Sequence, residues 1–270
     1  MKISVISTGG AGRYCFLLGM VKRIQVDWRL NPVDPEWGFS YRQLYAMSDR
    51  QLSLGDRMPS PRMHHELVKM RFLNTPIEWV DIKSERLEDA SEAAVECMDN
   101  SECIMICMDG QYLKNNSGSI QEIADAWYDA QYGDAINHFL HQYLLRNKGK
   151  LPFICFVVTK MAMIDPELLK GFTMDRIVSR VFPDWFEGRR TNDGHIAAVC
   201  PISALGYEFV NGGEFEPINA EKPLFAALRA VRGRKLFSEI SKHDKEQFQN
   251  CIEGIRFYRN GKWIDESEIE

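Results

Sequence analysis

Five places along the 270-residue chain carry residue types that can do chemistry. Ser7-Thr8-Gly9-Gly10-Ala11-Gly12 follows a short apolar run and precedes a helical pattern. Gly9, Gly10 and Gly12 permit a tight anion nest at a helix N-terminus, with Ala11 between them. Arg13 adds a cation beside that nest, and Tyr14 follows it. Taken alone, the same glycines make an ordinary strand-to-helix turn. Asp81 and Asp109 each close an apolar strand pattern, where a carboxylate can serve a metal ion or cap a turn. Asp81 is the better metal candidate. Thr159-Lys160 ends another such run, and Ser203-Ala204-Leu205 follows a fourth.

Other chemistries find less support. The seven cysteines form no CxxC pair. Cys103, Cys107, Cys155 and Cys200 sit in apolar runs and read as reduced core residues of a cytoplasmic protein. His64-His65 reads as solvated surface. His138 and His141 share a helix face without the further ligands a metal needs. No Gly-x-Ser-x-Gly elbow occurs, so acyl transfer has no support. A dinucleotide fingerprint fails because Gly10-Ala11-Gly12 is followed by Gly19 at the wrong spacing.

These residues need a frame to hold them. Ile3 to Ile6 reads as a strand, and Arg13 to Ile24 as a helix. Ile77 to Asp81 is a strand, residues 85–98 a helix, and Cys103 to Met108 a buried strand. Ile120 to Leu145 is a long amphipathic helix with a break near Gly133. Phe153 to Val158 is a buried strand, Pro166 to Phe182 a helix, and Ile196 to Val199 a short strand. Lys222 to Ala230 and residues 236–254 are helices. Asn260-Gly261 marks a closing hairpin. Strands alternate with helices, and several strands are continuously apolar, as in a parallel sheet covered on both faces. The pattern predicts a three-layer α/β/α domain with a mainly parallel sheet, plus a C-terminal helix and β-hairpin. Residues 1–230 form the main domain, with 28–75 an irregular insertion or switch-like segment. Residues 231–270 form an extension.

In such a sheet, ligands bind beyond the carboxyl ends of the strands. The order along the chain is a Gly-rich loop, Asp81, Asp109, Thr159-Lys160 and Ser203-Ala204-Leu205. With FICFVVTKMAMI at 153–164 and CPISALG at 200–206, this order resembles the P-loop GTPases of the translation-factor-related class. It looks most like the bacterial double-GTPases, over residues 1–230. The resemblance implies a nucleotide site for GTP, or another nucleotide with Mg2+, at Gly9–Tyr14, Thr159, Lys160 and Ser203–Leu205. Several positions depart from the pattern GxxxxGK[ST]. Ser7 replaces the first Gly, Arg13 the Lys, and Tyr14 the metal-binding hydroxyl. Asp81-Ile82-Lys83-Ser84 lacks the Gly of DxxG. Gly55 to Arg62 contains no Thr, only Ser60. Thr159-Lys160-Met161-Ala162 lacks the base-reading Asp, and Asp165 replaces it only if the loop is rebuilt.

The resemblance with these losses implies a catalytically inactive GTPase-like protein, a scaffold or regulatory subunit in a bacterial multi-protein system. The alternative is a divergent nucleoside-triphosphatase that binds phosphates through Gly9–Gly12 and Arg13. A net charge of −5 argues against a general nucleic-acid binder. The inactive GTPase-like reading implies a stable protein partner. The basic cluster Arg229, Arg232, Arg234 and Lys235 is a solvated helix end or a site for an acidic partner. No apolar run reaches the 18–20 residues needed to span a bilayer, so no membrane span is expected.

Overall fold

The computed structural model describes residues 1–7, 10–30, 67–82, 92–114, 118–131, 133–147, 152–186, 195–206 and 215–269. Gly9, Ser60, His64-His65 and Ser84 lie outside the described residues.

The strands are β1 (Lys2–Ser7), β2 (Leu67–Phe72), β3 (Thr75–Ile82), β4 (Cys103–Asp109), β5 (Phe153–Thr159), β6 (Ile196–Pro201), β7 (Arg256–Arg259) and β8 (Lys262–Asp265). The helices are α1 (Arg13–Asp27), α2 (Glu92–Cys97), α3 (Ile120–Ala130), α4 (Gly133–Arg146), α5 (Thr173–Val181), α6 (Pro183–Phe186), α7 (Lys222–Glu239) and α8 (Lys242–Ile252). One eight-stranded sheet runs β2-β3-β1-β4-β5-β6-β7-β8. Its central strands, β3 through β6 in that order, pair parallel. β2, β7 and β8 join antiparallel at the two edges.

The continuous apolar runs follow from burial on both faces. In β4, Cys103, Met105 and Cys107 enter one core layer, while Ile104, Ile106 and Met108 enter the other. Successive side chains point to opposite faces, so a strand covered twice has no polar positions to spare. The first layer lies under α1, α7 and α8 through Leu18, Phe225 and Phe248. The second lies under α2 to α6 through Ala94, Trp127, Phe139, Ile177 and Phe186. This is the three-layer α/β/α arrangement expected from the sequence. Cys103, Cys107, Cys155 and Cys200 are buried free thiols in the first layer. Cys155 and Cys200 Sγ lie 3.7 Å apart.

Some boundaries differ from the sequence reading. Residues 67–72 form an edge strand rather than irregular chain. The stretch from Pro166 starts as a 3-10 turn, Pro166–Leu169, and becomes α-helix only at Thr173. Gly171, at φ +56, sits between the two. α7 runs on to Glu239, across the 230/231 boundary, and the next helix starts only after Ser241. Ser241 caps it by accepting from the Asp244 amide at 3.1 Å. The closing hairpin extends the main sheet through β6–β7 pairing rather than hanging beside it. The break near Gly133 is present, between α3 and α4.

Candidate functional site

Counted over its parallel strands alone, the sheet order is 2-1-3-4-5. The chain leaves β1 toward β3, then crosses back to β4 on the other side. Such a switch point opens a crevice beyond the carboxyl ends of the strands that flank it, here β1 and β4. Ser7 ends β1 and Asp109 ends β4.

The loop between β1 and α1 is built on left-handed backbone, with Gly10 at φ +83 and Gly12 at φ +71. Gly12 precedes a helix that has no side-chain cap and no acid in its first turn. Thr159 ties this loop down. Its hydroxyl lies 2.7 Å from the Ala11 carbonyl and 3.0 Å from that of Met108. The Asp109 carboxylate lies beneath, with Oδ2 at 4.0 Å from the place a Gly10 Cβ would take.

Asp109 is buried and held at every polar group. Its amide donates to Gln131 Oε1 at 2.7 Å, and its carbonyl accepts from Trp127 Nε1 at 2.9 Å. Oδ1 accepts from the Gln111 amide at 2.9 Å. Oδ2 accepts from Lys160 Nζ at 2.5 Å, and Lys160 also donates to Gln111 Oε1 at 3.0 Å. Lys160 takes a left-handed conformation, φ 55°, at the turn that follows β5. The carboxylate beneath Gly10 is therefore neutralised by the chain's own lysine.

Asp81 meets the other cation. Arg13 Nε lies 2.9 Å from Asp81 Oδ1, with both side chains only about one-seventh exposed. Arg13 Nη1 donates to the Ile82 carbonyl at 2.7 Å and to Ser7 Oγ at 3.2 Å. One side chain on α1 thus fastens the ends of β1 and β3. Tyr14 packs against the same pair, with the guanidinium 5.3 Å from its ring centroid. Burial and then the Asp81 carboxylate push its phenol pKa up, against the pull of Arg13. Burial likewise pushes the neighbouring Cys15 thiol up to about 11, so it carries little thiolate near neutral pH.

The two acids do not converge. Val5 is level with Asp81 on one side and with Met105 on the other. Asp109 lies four residues beyond that level and two strands away. At about 3.3 Å per residue and 4.8 Å per strand, their Cα atoms are about 16 Å apart. They cannot ligate one ion together. Among the described residues, no group of three His, Cys, Asp or Glu side chains is arranged to hold a metal.

Ser203, Ala204 and Leu205 approach from β6. The Met161 amide donates to the Ile202 carbonyl at 2.8 Å, which places this loop beside Lys160. Ser203 bridges to Ile218, and its hydroxyl accepts from the Gly206 amide at 3.2 Å. Asp165 sits elsewhere. Its carboxylate caps its own 3-10 turn at the Glu167 amide, 2.9 Å, and its amide donates to the Leu113 carbonyl.

The crevice thus gathers Gly10 to Tyr14, Asp109, Thr159, Lys160 and the Ser203 loop. Sequence reasoning missed the supports behind them, Gln111, Trp127 and Gln131. No local spacing points to these, because they act across the fold. It also missed Gly19, where a Cβ would lie 2.6 Å from the Ala204 carbonyl and 3.2 Å from Pro217 Cβ. Gly19 lets α1 press against the Ser203 loop. Gly19→Ala gains helix propensity of about 1 kcal/mol but meets backbone, so a net loss of about 1–2 kcal/mol is expected. A urea midpoint equal to or above wild type would contradict this close approach. No protein-family model matches the chain, and no curated protein matches it either.

Proposed function

We propose that this protein is a catalytically inactive GTPase-like protein that works as a scaffold or regulatory subunit through a protein partner. The observation that carries the reading is the internal neutralisation of both strand-end acids, Asp81 by Arg13 and Asp109 by Lys160. Phosphoryl transfer depends on cations and metal-holding groups aimed at the phosphates. Here Arg13 spends Nε and Nη1 on Asp81, Ser7 and the Ile82 carbonyl. A half-buried phenol, Tyr14, follows it where a short hydroxyl would be needed. The ordered motifs along the strand ends support the GTPase-like part of the reading.

A second reading is supported by the left-handed Gly10 and Gly12 before the uncapped start of α1. It is anion or nucleotide binding without turnover.

One experiment separates the readings. Purified protein is incubated with GTP, GDP, ATP and a non-hydrolysable analogue, each with and without Mg2+. Melting temperature and phosphate release are both followed. The expected result is release at the buffer blank and no base-selective shift. A selective shift of several degrees without release favours the second reading, because a ligand bound only by the folded state raises stability by linkage. Release that disappears in Asp81→Asn sinks the inactive reading.

A further inference from the structure

We infer that the guanidinium of Arg256, which lies over the rings of Phe172 and Trp263, is a docking point for an acidic peptide segment of a protein partner. This rests on the reading that the protein acts through such a partner, and it names the surface. The Arg256 guanidinium carbon lies 4.0 Å from the Phe172 ring centroid and 5.6 Å from that of Trp263. Phe172 is 53% exposed, one of only four large apolar side chains so open among the described residues. Among those residues, no hydrogen bond or ion pair engages the Arg256 side chain. Stacking holds a guanidinium flat and leaves its in-plane donors open, the fork that matches a carboxylate in two-point contact.

The surroundings select the ligand. α5 begins beside Phe172 and presents Arg176 and Arg180 to solvent. On a chain of net charge −5, these two arginines outnumber the one acid of α5, Asp175. Two acids limit how much negative charge this surface accepts. Asp175 lies close enough to feel Arg256 electrostatically, and Asp265 stands opposite Arg256 across the hairpin. A dianionic phosphate would be repelled by both, whereas a single carboxylate matches one open fork. The exposed Phe172 ring adds an apolar place for a neighbouring side chain. Arginine with aromatics at the centre of a patch is the composition that dominates partner binding.

The test is fluorescence anisotropy of a rhodamine-labelled, C-terminally amidated GSLFEGS peptide, with a single carboxylate beside an apolar pair, titrated with the full chain at low salt. Saturable binding is expected, weakened about tenfold by R256A and not restored by R256K, which keeps charge but loses the fork. F172A should weaken it about threefold. K235A, at an exposed cation on α7, should leave it unchanged. Melting curves check that each variant folds. If R256A does not, R256K and F172A still decide. No saturable binding, equal loss in K235A, or full binding by R256K overturns the assignment. So does displacement of the peptide by inorganic phosphate or a single-stranded oligonucleotide at lower concentration than by free glutamate. GTP turnover in the same preparation would overturn the inactive-scaffold reading, whereas absent peptide binding overturns only the docking point.

Discussion

Arg13→Ala is expected to lower unfolding free energy by about 3 kcal/mol, a large share of a domain's total. The cause is the carboxylate left behind. Asp81 is about one-seventh exposed and would lose the guanidinium at 2.9 Å. The Ile82 carbonyl and Ser7 Oγ would lose a donor at the same time. Removing one partner of a largely buried pair costs more than the pair contributes net, because a desolvated charge remains. Arg13→Lys should fall between, keeping the charge but not the planar fork that reaches three acceptors. Asp81→Asn combined with Arg13→Ala should be less damaging than the sum of the singles, with a coupling of about 2 kcal/mol. Urea unfolding of the four proteins measures this cycle. An Arg13→Ala variant within about 0.5 kcal/mol of wild type would show that the pair is not a fastening between β1, α1 and β3.

The second large effect is a pair of opposing pH dependences that hide one another. Burial pulls the His195 pKa from 6.5 down to about 4, against a smaller upward pull from the backbone of Trp185 and Pro152. Between those values the unfolded chain binds the proton more readily. The stability His195 contributes is therefore complete above 6.5 and lost as pH falls toward 4, in total about 3 kcal/mol. Burial pushes the Asp175 carboxyl from 3.8 up to about 6, opposed by Arg256 and its own backbone. Its sign is the reverse. The folded chain holds the proton longer, so this contribution is complete below 3.8 and lost as pH rises to 6, again about 3 kcal/mol. In the wild type the two slopes largely cancel between pH 4 and 6. Asp175→Asn should expose the histidine's slope, with greater stability at pH 7 and a steeper acid loss. His195→Gln should expose the opposite slope, with stability rising on acidification. Urea midpoints at pH 4.5, 5.5, 6.5 and 7.5 test both. Parallel profiles for the two variants would contradict the assignment.

The hairpins show what governs legibility. The closing one was readable because Asn260-Gly261 supplies two left-handed residues, at φ 51° and 80°. The β2–β3 hairpin has the same kind of edge pairing, and Lys69 and Arg71 alternate with buried Met70 and Phe72. Its turn runs through Leu73 at φ 49°, a residue type that seldom adopts that conformation, so no turn signal announced it. The start of α8 carries a capping pattern at Ser241 and Asp244, yet the sequence reading ends the preceding helix at Ala230 and begins the next at 236. Gly233 is buried inside α7, where helix packing outweighs its low propensity.

Amino-acid order alone determined the layered fold, because doubly buried strands must be apolar throughout and helices must show one apolar face. It also determined which residues stand at the strand ends, since each follows directly from where an apolar run stops. Only the tertiary structure decided what those residues meet. Asp81 and Asp109 look alike in sequence, yet sheet order and register place them at different heights and two strands apart. One is taken by Arg13 from α1, the other by Lys160 from the turn after β5. Spacing along a chain sets which face a side chain leaves from, but strand register and sheet order set which partner lies within its reach.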